Sequence, residues 1–266
     1  MQNNLQKISL ATAPKSVLKM IATAREKKDG GKETLAIINK AIDMTHDYIV
    51  NLYFERAHIY QLVYMTERDK LEGSDKRKQA LALKNMEKYI RVIEMYIEQN
   101  NLKRWFHRLN KYFGKIYEYQ GNYDKALEYY KKSLKYWKLD PEVVSDGYPR
   151  NYELKGCLAS ALIMSGDSEK GLKLAKDTYI AYEKTKEGRK LKKNDYTTWA
   201  IWRTGCVIYA ANGLIKGKVK MDKERVLSWL NEAEKILNPP KSVKVWADFQ
   251  FRKDEITALR KNLSGI

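Results

Sequence analysis

The sequence predicts an all-α protein built as a stack of antiparallel helical hairpins, and three observations carry that expectation. Apolar residues recur at three- and four-residue spacing almost from end to end, the mark of one buried face per helix. Alternating β-branched runs bounded by turn residues are missing, so nothing in the pattern asks for a strand. Only 5 prolines and 14 glycines interrupt 266 residues, and 44% hydrophobic against 32% charged residues suits a long run of helices around a sizeable core.

About eleven helices are expected. Thr12 caps the first, with Pro14 in its first turn, and it runs to about Lys28, where Asp29, Gly30 and Gly31 break it. A second reaches about Met44, and a third spans roughly Tyr48 to Met65. The charged stretch Thr66 to Asp75, containing Gly73 and Ser74, reads as a loop, followed by a long helix from Lys76 to Glu98 that stops at Asn100 and Asn101. Leu102 to Tyr119 and Tyr123 to Trp137 form a hairpin across the tight turn Gln120-Gly121-Asn122. Asp140-Pro141 and Asp146 to Pro149 mark a longer connection, then a helix to Met164, the turn Ser165-Gly166-Asp167, and a helix from Ser168 to about Lys184. The basic segment Lys186 to Asn194 is expected as a loop leading into a helix from Asp195 to Leu214. Asp222 caps the next, which ends at Asn238-Pro239-Pro240, and Ser242 caps a final helix to about Asn262.

These helices make one domain over 1–266, with hairpins at 14–45, 48–99, 107–140, 150–185 and 195–238 and a closing helix at 242–262. First members of the pairs start near residues 14, 48, 102, 150 and 196, so any repeat is irregular in length. The 51 Lys plus Arg exceed the 33 Asp plus Glu by 18 charges, an excess that draws polyanions and also keeps a surface solvated. Cys157 and Cys206 offer neither a disulfide framework nor a CxxC metal knuckle, which suits a reducing interior. Residues 1–10 lack the apolar stretch of a secretory signal, and no segment approaches the roughly eighteen apolar residues of a membrane span. A soluble, cytoplasmic protein with no membrane partner is therefore expected.

Between Asn110 and Leu134 the small and aromatic residues fall in a recognisable order. Gly114, Ala126 and Ser133 stand where helices of a hairpin approach closely, Phe113, Tyr117 and Tyr130 fill the space beside them, and Gly121 supplies the turn. A weaker copy runs through Ala159, Leu162, Gly166, Gly171, Ala175 and Thr178, and fainter ones through Leu35, Ile38, Ala41, Ala57 and Tyr60 and through Gly205, Ile208, Val226, Leu230 and Ala233. This pattern resembles the tetratricopeptide repeat, most specifically over 107–140, with Asn110 where a large residue is usual and Pro141 about three residues late. The resemblance implies a right-handed superhelix, an α-solenoid of about five hairpins, whose first helices line a concave groove. It also implies a scaffold that binds protein or peptide segments, some relatives binding RNA instead.

On that alignment the groove wall in the clearest repeat carries Arg108, Lys111 and Lys115, with Tyr112 and Tyr119 at its edge, a concentrated anion site on one helix face. The earlier hairpin contributes Asn51, Glu55 and His58, and the last one Trp199, Trp202, Arg203 and Tyr209, although Trp202 and Tyr209, as large aromatics, better suit an inter-repeat core. Cys157 stands where some relatives place an asparagine of a carboxylate clamp. Glu55 and His58 share one face, but a metal bundle needs two such motifs plus further glutamates, and only Asp43 and His46 come near, so no metal is expected. Three histidines, no HExxH, no GxSxG and no phosphate loop leave catalysis and cofactors without support. The expected function is a non-catalytic scaffold that holds an acidic or carboxylate-bearing peptide in a basic, aromatic groove. RNA binding through the same charge is the rival, for which the densest cluster is Lys186, Arg189, Lys190, Lys192 and Lys193, flanked by Tyr182 and Tyr196, with Lys216, Lys218, Lys220 and Lys223 beyond.

Overall fold

Eleven α-helices and no β-strand make up the residues this computed structural model describes, which are 15–27, 32–70, 73–140, 151–217 and 223–264. None of the described helices is long and apolar enough to cross a membrane. Two compact units divide the chain, Met1–Arg56 and Ala57–Ile266. The expected cap at Thr12 and Pro14, the break at 29–31, the connection at 141–150 and the cap at Asp222 all lie outside the described residues.

In the first unit, helix α1 (Lys15–Lys27) buries Val17 and Ala24, seven residues apart on one face. Helix α2 (Lys32–Asp69) then runs without interruption, and this corrects the expected break between Met44 and Tyr48. No glycine or proline stands there, and the Thr45 hydroxyl donates to the Ala41 carbonyl at 2.9 Å, so a residue that often ends helices is satisfied inside one. Hairpins bounded at 14–45 and 48–99 therefore do not exist as drawn. The first unit buries Ala41, Val50 and Phe54 from this helix.

The second unit begins within α2. Its last turn is tied to the next helix by Glu67, whose carboxylate accepts from Lys70 at 2.8 Å and from the Asp75 backbone at 3.2 Å and pairs with Lys78 at 2.9 Å. Hydrogen bonds from Lys70 and then Lys78 hold that carboxyl down to about 2, below the usual range. Helix α3 (Lys76–Gln99) starts at the Asp75 cap and buries Ala82, Met86, Ile90, Ile93 and Ile97 at helical spacing.

A 3₁₀ turn at Lys103–Trp105 leads into α4 (Phe106–Tyr119), which pairs with α5 (Tyr123–Tyr136) as the sequence predicts. Gly121 sits at φ +76°, and the Asn122 backbone donates to the Tyr117 carbonyl at 2.8 Å, closing α4 in a left-handed cap that a side-chain-bearing residue would strain. Gly114 lies flat against the Tyr130 ring, Ala126 is buried, and the Ser133 hydroxyl donates to the His107 carbonyl at 2.7 Å. Small residues thus stand where the two helices touch.

Helices α6 (Asn151–Met164) and α7 (Ser168–Lys184) repeat the arrangement around Gly166, at φ +98°, with Asp167 donating to the Leu162 carbonyl at 2.9 Å. Next comes α8 (Lys186–Asn194), where a loop was expected. Thr185 caps it by accepting from the Gly188 backbone at 3.0 Å, Leu191 is fully buried, and Gly188 passes so close to the Tyr182 carbonyl that a Cβ there would collide. Seven polar residues around one leucine give little periodicity to read, and the tertiary anchor decides.

Helix α9 (Tyr196–Lys216) is buried on almost every side because α6, α7, α8, α10 (Lys223–Ile236) and α11 (Gln250–Ser264) all pack on it. Gly156 of α6 lets the backbone of Cys206 approach, and Gly213 accommodates Ile163. The last helix starts at Gln250 and not at Ser242. Residues 241–249 are irregular, ending at Phe249, which is buried with φ +60°.

Candidate binding cleft

The ends of α2, α4, α9 and α11 converge around a cleft of about 140 Å³ with mixed polar and apolar walls, Met65, Ile208 and Leu259 among them, and with Cys157 of α6 at its edge. Tyr119 and Tyr209 are its aromatic sides, Asn212 and Asn262 present amides, and Arg68, Lys115, Lys216, Glu118 and Glu255 bring charge. Helical register places these groups: Lys115 and Tyr119 are four residues apart on α4, as are Tyr209, Asn212 and Lys216 at three- and four-residue steps on α9.

Two carboxylates organise the cations. Glu153 on α6 accepts from Lys111 at 2.9 Å and stands 3.9 Å from Lys115. Burial alone would push the Glu153 carboxyl up, but Lys111 and Lys115 outweigh it and hold it well below the ordinary range. Burial alone would likewise favour a neutral Lys115, which is only 7% exposed. Its amine is nonetheless held well above the usual value, and Glu153, 3.9 Å away, is the anion that faces it at neutral pH, so it is cationic there. Glu255 on α11 accepts from Arg68 at 3.2 Å and from Arg252 at 2.5 Å, and Arg252 also donates to the Tyr209 hydroxyl at 3.2 Å. Glu118 takes the Tyr130 hydroxyl at 2.5 Å. Arg68, Lys115 and Lys216 thus line the cleft beside Glu118 and Glu255, with Lys111, Arg252 and Glu153 behind them.

The aromatic wall is fixed. Tyr119 stacks on Tyr64 at 4.4 Å between ring centroids, and its hydroxyl accepts from Gln61 at 2.8 Å. Burial pushes the Tyr119 phenol up to about 12 and the Cys157 thiol up to about 11, so both stay protonated at neutral pH.

Of the residues the sequence singles out, Lys115 and Tyr119 line this cleft. Lys111 stands behind it on Glu153, and His58 reaches it at one remove, 3.4 Å from the Gln61 that holds Tyr119. Arg108 lies 3.8 Å from the buried Asp140 and over the Trp105 ring, and Tyr112 is buried. Asn51 belongs to the first unit. Trp199, expected on a groove wall, is 1% exposed and donates its indole N–H to the Tyr182 carbonyl at 3.2 Å, a core residue. Arg203 is buried on the Tyr179 and Trp199 rings and pairs with Glu183. Trp202 and Tyr209 pack partly buried on the core, though Tyr209 also faces the cleft. Arg68, Asn212, Glu255 and Asn262 escape sequence reasoning; Arg68 and Glu255 are 187 positions apart, and only the fold joins them.

No family model, curated protein or solved structure matches the chain.

Proposed function

We propose that the protein is a non-catalytic interaction scaffold of the tetratricopeptide kind that holds a carboxylate-bearing peptide segment in this cleft. The gathering of three cations and two amides around a partly enclosed site carries the reading, since a ligand carboxylate there meets Lys115, Arg68 and Lys216 at reduced dielectric while the Asn212 and Asn262 amides hydrogen-bond its backbone. The repeat pattern at Gly114, Gly121, Ala126, Tyr130 and Ser133 supports the family and, with it, a right-handed superhelix of hairpins. Two buried thiols without a disulfide suit the cytoplasm. The raised Cys157 thiol is a poor nucleophile, which supports binding without turnover.

The test is a thermal-shift screen of short synthetic peptides, each made with a free carboxylate and with an amidated terminus. Free-acid peptides of suitable sequence raise the melting temperature, their amides do not, and Lys115→Met with Lys216→Gln abolishes the difference while Lys111 still pairs Glu153. Equal stabilisation by acid and amide, or by wild type and variant, refutes the cleft.

A further inference from the structure

Away from the cleft, the segment 241–249 lies across the junction of α8 and α9 and presents one side chain in an unusual way. Trp246 is 63% exposed, the most exposed of the large hydrophobic residues described. An exposed indole on a soluble surface is ordinarily free to rotate, but this one is fixed. Its N–H donates to Asp195 at 2.9 Å, and its backbone N–H donates to the Thr197 hydroxyl at 3.0 Å. Asp195 is also the cap of α9, accepting from the Thr198 backbone and hydroxyl, so its carboxylate is fully engaged. The polar edge of the ring is thereby satisfied by the protein, and what remains for a partner is the π face.

Basic residues stand on the two chain segments that meet at Trp246. Asp195 directly follows α8, whose Leu191 and Gly188 are buried and whose Lys186, Arg189, Lys190 and Lys193 are exposed. Because α8 is a helix and not a loop, Lys186, Lys190 and Lys193 recur at i, i+4 and i+7 on one face, about 5–6 Å from one to the next. Lys244 is exposed two residues before Trp246, and Lys241 three before that. Exposed acids on the same two segments include Glu187 and Asp248. Lys192 is spent on Glu183 at 3.2 Å.

We infer that α8 and Trp246 form a binding surface for single-stranded nucleic acid, in which the lysine row tracks phosphates and one unstacked base lies on the indole face. The pairing of a cationic track with an aromatic platform is what sequence-tolerant single-strand binders use, and the chain's excess of 18 positive charges favours the encounter. A duplex keeps its bases stacked and has none to place on the ring. A bilayer would take the indole deeper, but here its N–H is tied to a carboxylate, and Asp195 and Asp248 would face the anionic lipid. An acidic peptide could meet the lysines but has no use for the ring.

Fluorescence anisotropy with a labelled single-stranded RNA of about 16 nucleotides tests this across roughly 50–200 mM salt. Lys190→Gln with Lys193→Gln, both on exposed side chains, weakens binding about tenfold or more and flattens the log–log salt slope by about 1.4, the contribution of two phosphate contacts. Trp246→Ala weakens it roughly ten- to a hundredfold, while Trp246→Phe, which keeps a ring, recovers most of the loss. Circular dichroism melting accompanies each variant, and the lysine pair decides the matter if Trp246→Ala melts early. The inference is overturned if the lysine pair leaves affinity and slope unchanged. It is equally overturned if an RNA duplex, polyglutamate or phosphatidylserine vesicles bind as tightly as the single strand. Neither surface variant touches the cleft, so peptide stabilisation persists in both and the two readings fail separately.

Discussion

Replacing Glu153 with glutamine removes the one carboxylate between Lys111 and Lys115 while keeping size and one hydrogen-bond acceptor. Lys111 has 18% of its side chain exposed and turns toward water. Lys115 cannot, being 7% exposed beside Cys157 and Tyr209, so its charge loses its counter-ion inside the protein. Breaking a buried pair by removing one partner costs about 3–5 kcal/mol, and the retained hydrogen bond and partial solvation of Lys111 set the expectation at about 3 kcal/mol. Against a total stability of about 5–15 kcal/mol that is a large fraction, visible in urea unfolding at pH 7 as a lower midpoint at unchanged slope. The pH dependence identifies the cause. The Glu153 carboxyl is depressed in the folded state, so its contribution is complete above the unfolded value of about 4.3 and drains away as the pH falls below it. Wild type and Glu153→Gln therefore converge in acid. Equal stability at pH 7, or a gap that persists unchanged to pH 3, would refute the reasoning.

Gly114→Ala drives a methyl group to 3.0 Å from Tyr130 Cζ and closer still to Cδ1 and Cε1. That ring is fully buried and its hydroxyl is held by Glu118, so it cannot swing aside; a loss of about 2–3 kcal/mol is expected, read as a lower melting temperature, and an unchanged melt would deny the close approach of α4 and α5. His107 is buried against the Ser133 carbonyl, and burial, then Lys111, depress it from 6.5 to about 4. Its neutral form is thus favoured on folding, and stability falls by about 3 kcal/mol as the pH drops from 6.5 through 4. His107→Gln should flatten the profile over that window in chemical unfolding at stepped pH, and a profile as steep as wild type would show that another group titrates there.

The helical periodicity of the sequence determined the all-α class and most element boundaries, because an amphipathic stripe ended by a turn signal is a local property. The hairpin at Gly121 is the clearest case, with its positive φ and its small residues facing Tyr130. Periodicity also overreached where local signals were weak: the unbroken α2 past Thr45, and α8 in place of a basic loop, each settled by contacts no local window contains. The candidate site shows the same division. Lys115 and Tyr119 were legible as neighbours on one helix face, but which cations carry counter-ions was not. Glu255 reaches the cleft from another helix, Glu153 and Arg252 stand behind its wall, and Trp199, aromatic at groove spacing, lies in the core because α9 is covered on nearly every side. Sequence by itself fixed which residues share a helix face. Only the tertiary structure decided which faces meet, and so which charges are brought together, since Coulomb pairing and desolvation act between groups close in space whatever their separation along the chain.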